Sequence, residues 1–170
     1  MKYPSLEDKD RDFLITLIED MSKRWIAHDG LWFQAIEKEL GLAEAIKFDT
    51  AAWDKFARVE ADRIKKLLKL PDNGGIPALK TAFGFRLGSF INKQEIIDVD
   101  ENRIIFRMND CRVQSARKRK GLPDFPCKPV GLLENSVFAE TIDPRIKTKC
   151  ISCPPDRHPD EYFCAWEFYI

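Results

Sequence analysis

Five cysteines are the residues of this chain whose type and spacing most clearly suggest chemistry. Cys150 and Cys153 have the CxxC spacing, at which a turn can aim two sulfurs at one point, as tetrahedral zinc requires. Cys127 precedes a predicted helix, and Cys164 lies on the last predicted strand, where side-chain alternation turns it inward. We therefore expect Cys127, Cys150, Cys153 and Cys164 to bind one structural zinc ion, which would contribute to folding.

Two other interpretations of this cysteine group stay open. Buried cysteines can be inert and serve as small hydrophobic side chains. A redox dithiol is the other alternative, but a thioredoxin-like pair normally begins a helix, whereas Cys150 and Cys153 follow a predicted strand. His158, in the loop between the last two strands, is an alternative metal ligand or a solvated loop residue.

Cys111 stands apart from the other four cysteines and opens a predicted basic helix. Because a helix N-terminus lowers the pKa of a thiol, we expect Cys111 to be the best candidate for a reactive thiolate. It could instead replace Cys150 or Cys153 as a metal ligand, or be a partly buried structural cysteine.

The remaining candidate residues have simpler interpretations. His28 lies in a predicted turn with Asp29 and Gly30, and a turn or capping role is favoured over a catalytic one. The basic run formed by Arg112 and residues 117–120 is typical of a solvated helix face. The sequence contains no P-loop, GxGxxG, GxSxG or HExxH motif, which disfavours several common enzyme chemistries.

The N-terminal half, residues 1–90, has the apolar spacing of helices. A first helix is predicted up to a break at 28–30, and a second over 31–40, which Gly41 ends. A third helix is predicted from a cap at Asp49 or Thr50, and a fourth over about 76–90.

The C-terminal half, residues 91–170, changes to the alternating pattern of strands. Four strands and one long helix are predicted in the order β-β-α-β-β, and a short basic helix precedes the long one. The predicted strands are 96–99, 103–108, 146–151 and 162–169, the basic helix is 113–120, and the long helix is 130–142. The expected fold is therefore a single α+β domain over 1–170, with N-terminal helices packed on an antiparallel four-stranded sheet.

Between these helices and the sheet we expect a pocket for a small apolar or mixed ligand. Its predicted lining is Trp32, Phe56, Glu60, Phe83 and Phe106, of which Glu60 is the one carboxylate near an apolar helix face.

Composition restricts the class of partner. Lys plus Arg and Asp plus Glu each number 28, so the formal net charge is zero, which argues against a nucleic-acid-binding protein. No run approaches the roughly 20 apolar residues of a membrane span. The polar N-terminus lacks the apolar core of a signal peptide, and we expect a cytoplasmic protein without a membrane partner.

The β-β-α-β-β order, the cysteine before the long helix and the closing segment Phe163-Cys164-Ala165-Trp166-Glu167-Phe168 resemble the four-vinyl-reductase domain. That domain belongs to the ligand-binding superfamily of nitric-oxide signalling and Golgi transport. The resemblance implies a small-molecule pocket between helices and sheet, and a zinc ion held by Cys127, Cys150, Cys153 and Cys164, with a carboxylate able to replace Cys150.

Three further segments, residues 29–33, 125–131 and 143–146, are similar to a prokaryotic cytosolic family without a known activity. The placement of Cys111, Cys127 and Cys164 is also similar to that in L-2-amino-thiazoline-4-carboxylic acid hydrolases. The long Pro-rich loop with its CxxC pair departs from that pattern, and fold does not determine function.

The sequence thus predicts a small-molecule-binding or sensor domain with a structural zinc site. The alternative is a hydrolase of a small substrate, with Cys111 as nucleophile or with an open zinc site that activates water. A protein–protein scaffold is a third interpretation, and a homodimer is the assembly we consider.

Overall fold

The computed structural model describes residues 3–170, and within that range it contains five α-helices and one sheet of four strands. The helices are α1 (Arg11–Leu40), α2 (Leu42–Leu68), α3 (Gly75–Phe83), α4 (Arg112–Arg119) and α5 (Lys128–Ile142). The strands are β1 (Lys93–Asp100), β2 (Arg103–Asp110), β3 (Lys147–Ser152) and β4 (Cys164–Tyr169). Helices followed by an antiparallel sheet confirm the predicted α+β class.

Two long helices replace the three short ones predicted for residues 11–68. Asp10 caps α1, because its carboxylate accepts a hydrogen bond of 2.7 Å from the backbone N–H of Phe13. Gly41, at φ +87°, separates α1 from α2, as predicted. The predicted break at 28–30 is wrong: an internal glycine costs a helix only about 1 kcal/mol, which packing of α1 against α2 can offset. No helix within residues 3–170 is long and apolar enough to cross a membrane.

The sheet has the strand order β1-β2-β4-β3, and every neighbouring pair is antiparallel. One face buries Ile104, Phe106, Trp166 and Phe168 against the helices. The other face carries both charged and apolar side chains: Arg103, Ile105, Arg107, Ala165 and Glu167. Phe83 of α3 fixes the centre of this core, with its ring 4.8 Å from that of Phe106.

A bulge in β3 decides where the CxxC pair points. Cys150 pairs with Trp166, but Ser152 pairs with Ala165, so Ile151 is an extra residue on this strand. Because Ala165 faces away from Trp166, Ser152 does too, and the next residue turns back toward the helices. Cys153 is consequently fully buried.

Asp143, at the end of α5, joins three parts of the fold. It is fully buried, and its carboxylate accepts hydrogen bonds from the backbone N–H of Gly75 at 2.9 Å and from Arg145 at 2.7 Å. These bonds, with the Arg145 guanidinium first, hold the pKa of Asp143 well below its usual range. The start of α3 is thereby tied to the end of α5.

We expect Asp143→Asn to lower the free energy of unfolding by about 2 kcal/mol at pH 7, because a buried charge-assisted network loses its acceptor. A carboxyl whose pKa is depressed in the folded state stabilises above its unfolded pKa of about 4 and loses that contribution as the pH falls. Urea unfolding should therefore show the difference shrinking between pH 7 and pH 3. The exposed Glu140→Gln on the same helix is the matched control; an equal effect of both variants would contradict the prediction.

Candidate functional site

A cavity of about 840 Å³ lies between the N-terminal helices, α5 and the sheet, with α4 at its rim. Its wall is mainly apolar, but ionisable side chains from α1, α2 and α5 and four of the cysteines also line it. Cavities of this size and mixed lining are typical of small-molecule sites.

Of the five residues predicted to line a pocket, two line this cavity and three lie elsewhere. Glu60 and Phe106 line the cavity, whereas Phe83 is buried in the core behind Phe106. Phe56 packs within the aromatic cluster of α1 and α2, one layer from the cavity wall. The prediction for Trp32 is wrong: the continuous α1 carries it to the surface, where it is 62% exposed.

Arg86, in the segment after α3, is the buried cation of the site. Its Nε donates to Glu60 of α2 at 2.9 Å, its Nη2 donates to Glu134 of α5, and its guanidinium lies 4.4 Å from the centre of the Phe138 ring. Glu60 also accepts the backbone N–H of Leu87 at 3.0 Å. Burial by itself would lower the pKa of Arg86, but the two carboxylates raise it, so the guanidinium stays charged.

Three carboxylates from three helices face the same part of the cavity: Asp29 of α1, Asp49 of α2 and Glu134 of α5. Burial raises the pKa of each. For Asp49 the negative charges of Asp29 and Glu134 add to burial and raise the pKa to about 7, although the Trp53 side chain donates a hydrogen bond to it. The site is therefore acidic beyond what Arg86 neutralises.

Asn135, beside Glu134 on α5, contributes a buried amide to the cavity wall. It is 6% exposed, and its Nδ2 donates to the carbonyl of Gly131 at 2.8 Å. Its Oδ1 is buried and has no hydrogen-bond partner within residues 3–170. This oxygen is an acceptor available to a ligand that carries N–H groups.

Three cysteine thiols meet at the other end of the cavity. The sulfurs of Cys127 and Cys153 are 3.3 Å apart, and the thiols of Cys153 and Cys164 are close enough for each to shift the pKa of the other. Trp166 Nε1 donates to the Cys164 sulfur at 3.3 Å. The neighbouring Cys153 thiol, followed by the hydrogen bond from Trp166, lowers the pKa of Cys164, although burial opposes this.

Gly131 allows this convergence, because it brings α5 against β4. A Cβ at this position would lie 3.0 Å from Cζ2 of Trp166 and 3.9 Å from the sulfur of Cys153. A larger residue would therefore push the helix, with Cys127 at its start, away from the other thiols.

The Cys127 and Cys153 sulfurs are closer together than two ligands of one zinc ion would be. Zn–S bonds of about 2.3 Å place tetrahedral ligands roughly 3.8 Å apart, wider than the Cys127–Cys153 contact. No group of three or more His, Cys, Asp or Glu side chains in the described chain is arranged as a metal site. Cys150 interacts electrostatically with Cys127 and Cys164, but it makes no hydrogen bond to any other thiol of residues 3–170. The arrangement is that of hydrogen-bonded thiols, and zinc would have to spread them.

Cys111 differs from the expectation of an activated thiolate. It occupies the N-cap position of α4, where its side chain makes no capping hydrogen bond, and it lines the cavity; burial raises its pKa to about 12. The desolvation of the thiolate outweighs the favourable influence of the backbone N–H groups at the start of the helix. His158 is hydrogen-bonded to Pro159 and Asp124 in the hairpin loop, and His28 packs edge-on against Trp32.

Of the ionisable residues that meet at the cavity, the sequence pointed to Glu60. It did not point to Arg86 or to the carboxylates of Asp29, Asp49 and Glu134. A signal existed in α2, since Asp49, Trp53, Phe56 and Glu60 follow one another at intervals of four, three and four residues and so share one helix face. Asp49 falls outside this face in the prediction from sequence, because a helix is predicted to start at Asp49 or Thr50. A residue that caps a helix is not expected to lie on the helix face that packs against a neighbour.

Comparison with known proteins gives a family but no activity. No curated protein and no solved structure matches the chain. Residues 7–170 match the model of a family of unknown function, DUF6125, and the chain therefore belongs to that family.

Proposed function

We propose that this protein binds a small molecule in the cavity between its helices and its sheet. The observation that carries the proposal is the convergence of buried ionisable groups from three helices on one cavity of about 840 Å³. Burying carboxylates without full neutralisation costs stability. Such costs are characteristic of binding and catalytic sites, where ionisable groups with shifted pKa values lie together in a cleft.

The shape of the wall supports binding in preference to a purely structural role. Trp25 and Trp53 from the helical hairpin and Phe106 and Met108 from β2 give the cavity apolar sides. The polar groups of the wall come from separate elements, so they could orient a ligand from several sides.

We propose secondly that the thiol cluster holds a structural zinc ion. The observation in its favour is the direct contact of Cys127 with Cys153, beside which the Cys164 thiol lies. Cys150 and Cys111 are both close enough to interact electrostatically with Cys127 and Cys164. Zinc would neutralise thiolates that are otherwise costly to bury, and the sulfurs would spread by about 0.5 Å to reach tetrahedral spacing.

The ligand-binding proposal predicts that a neutral solvatochromic dye such as Nile red binds with one-to-one stoichiometry and a blue-shifted emission. Ala116→Trp should weaken binding at least tenfold, because Ala116 lines the cavity and an indole would occupy its space. Fluorescence titration measures both quantities.

The matched control for the dye experiment is Ala52→Trp, which adds the same side chain at an exposed position of α2. It should bind the dye like the parent protein. Equal affinity of the two tryptophan variants, or no saturable binding by the parent, would show that the cavity is not the binding site.

The zinc proposal predicts about one equivalent of zinc in the purified protein, lost in Cys164→Ala and Cys150→Ala and kept in Cys111→Ala. Elemental analysis of the folded variants gives the result. Zinc retained by both Cys111→Ala and Cys150→Ala would mean three thiolates and an open position, which favours catalysis. A parent protein that binds no added zinc would refute the site.

The hydrolase alternative needs Cys111 as an activated nucleophile or such an open zinc position. Because the pKa of Cys111 is raised to about 12, its alkylation by iodoacetamide should keep accelerating up to pH 10 without a plateau. Mass spectrometry of the Cys111 peptide follows the rate, with Cys111→Ser as the blank. An inflection near pH 7 would restore the nucleophile interpretation.

A further inference from the structure

Asp29, Asp49, Glu60, Arg86 and Glu134 form one end of the cavity, which we call the acidic end. It holds four carboxylates but one buried guanidinium. Arg86 is already shared between Glu60 and Glu134. Asp29 and Asp49 form no salt bridge with any residue of 3–170, although both line the cavity. A ligand that brings a positive charge would therefore find carboxylates with no competing cation in contact.

Two cations that line the cavity have partners elsewhere on α1. Arg117 of α4 pairs with Glu37 at 3.8 Å, and Lys120 donates to Gln34 at 3.3 Å. These partners lie more than one turn beyond Asp29 on α1, toward its C-terminus. These two cations are therefore held away from Asp29.

A second observation at the same wall is independent of the carboxylates. Asn135 is nine-tenths buried; its Nδ2 donates to Gly131, and its Oδ1 lacks a partner within the described chain. An unpaired buried carbonyl oxygen requires a donor, and a protonated amine has up to three.

Aromatic rings complete the environment. Trp25 and Trp53 line the cavity and pack edge to face, with ring centres 6.0 Å apart, and Trp53 donates a hydrogen bond to Asp49. Indole faces attract organic cations, and carboxylates combined with indoles are suited to ammonium groups. A hard metal ion would bind oxygen ligands without need of the indoles, and no group of three or more possible metal ligands is found within residues 3–170.

We propose that the acidic end of the cavity binds the protonated amine of an organic ligand, with Asp29, Asp49 and Glu134 as counter-ions, Asn135 Oδ1 as acceptor and the adjacent indoles as walls. This inference rests on the proposed small-molecule function and specifies the ligand class. The remainder of the ligand would extend along the apolar wall toward Phe106 and Met108.

The test compares two fluorescent probes that differ only in charge: dansylcadaverine, a primary amine, and its N-acetylated form, which is neutral. The parent protein should bind the amine at least tenfold more tightly. Asp29→Asn/Asp49→Asn should remove this preference by weakening amine binding at least tenfold, so that the charged and the neutral probe bind with similar affinity. Asp54→Asn, on the exposed side of α2, is the control and should behave like the parent.

Folding of the double variant is checked by circular dichroism and by Nile red binding. Both carboxylates are destabilising in the ligand-free protein because burial raises their pKa, so their amides should not unfold the chain. Glu134 is left intact in this test, since it also pairs with Arg86.

The pH dependence gives a second readout. Between pH 8 and pH 5.5 the amine of the probe stays protonated while Asp49 takes up a proton, so amine affinity should fall severalfold and neutral-probe affinity should stay constant. The charged groups that act on Asp49 are Asp29 of α1 and Glu134 of α5. His28 in turn acts on Asp29, and Arg86 and Glu60 act on Glu134. The double variant, which lacks both aspartates, should lose the pH dependence.

Each outcome has one meaning. Tight binding of both probes with equal affinity would overturn the amine inference and leave the proposed function standing. No saturable binding of either probe would refute both. Displacement of the amine by millimolar Mn²⁺, together with direct Mn²⁺ binding that the double variant loses, would assign the carboxylates to a metal and overturn the amine inference.

Discussion

The buried guanidinium of Arg86 is the constraint around which the rest of the site is organised. It lies between Glu60 and Glu134 and against the face of Phe138, so one side chain links α2, the end of the α3 segment and α5. A buried charge is tolerated only when it is paired and hydrogen-bonded, and Arg86 satisfies this condition through two carboxylates. Removing it would leave two buried carboxylates facing each other. The position of both helices over the sheet is therefore coupled to an electrostatic contact at the cavity.

Helix α5 connects the two chemically different ends of the cavity. Its first turn carries Cys127 to the thiols of β4 and the hairpin, and Gly131 permits the close approach to Trp166. Farther along the helix, Glu134 faces the carboxylates of the helical hairpin, and Asn135 beside it also lines the cavity. A shift of this helix would therefore change the geometry of both ends together.

Much of the fold follows from patterns visible in the chain, but its charged site does not. Alternation in 103–108 predicted β2, and the apolar spacing of 130–142 predicted α5 to within two residues. The break expected at 28–30 was wrong, because a single internal glycine is a weak signal against long-range packing. That error moved Trp32 into the predicted pocket and left Asp29 assigned to a turn.

The sequence by itself determined the class of fold, the order of its elements and the inward faces of the core, since each depends on local periodicity and on the burial of apolar side chains. The tertiary structure alone decided which polar groups meet. The bulge at Ile151 turned Cys153 toward Cys127, and desolvation reversed the expected pKa shift of Cys111. Likewise, Asp29 and Asp49 became neighbours through the packing of two helices. Contacts between distant segments and the dielectric around a charge are properties of the assembled molecule, and no spacing along the chain encodes them directly.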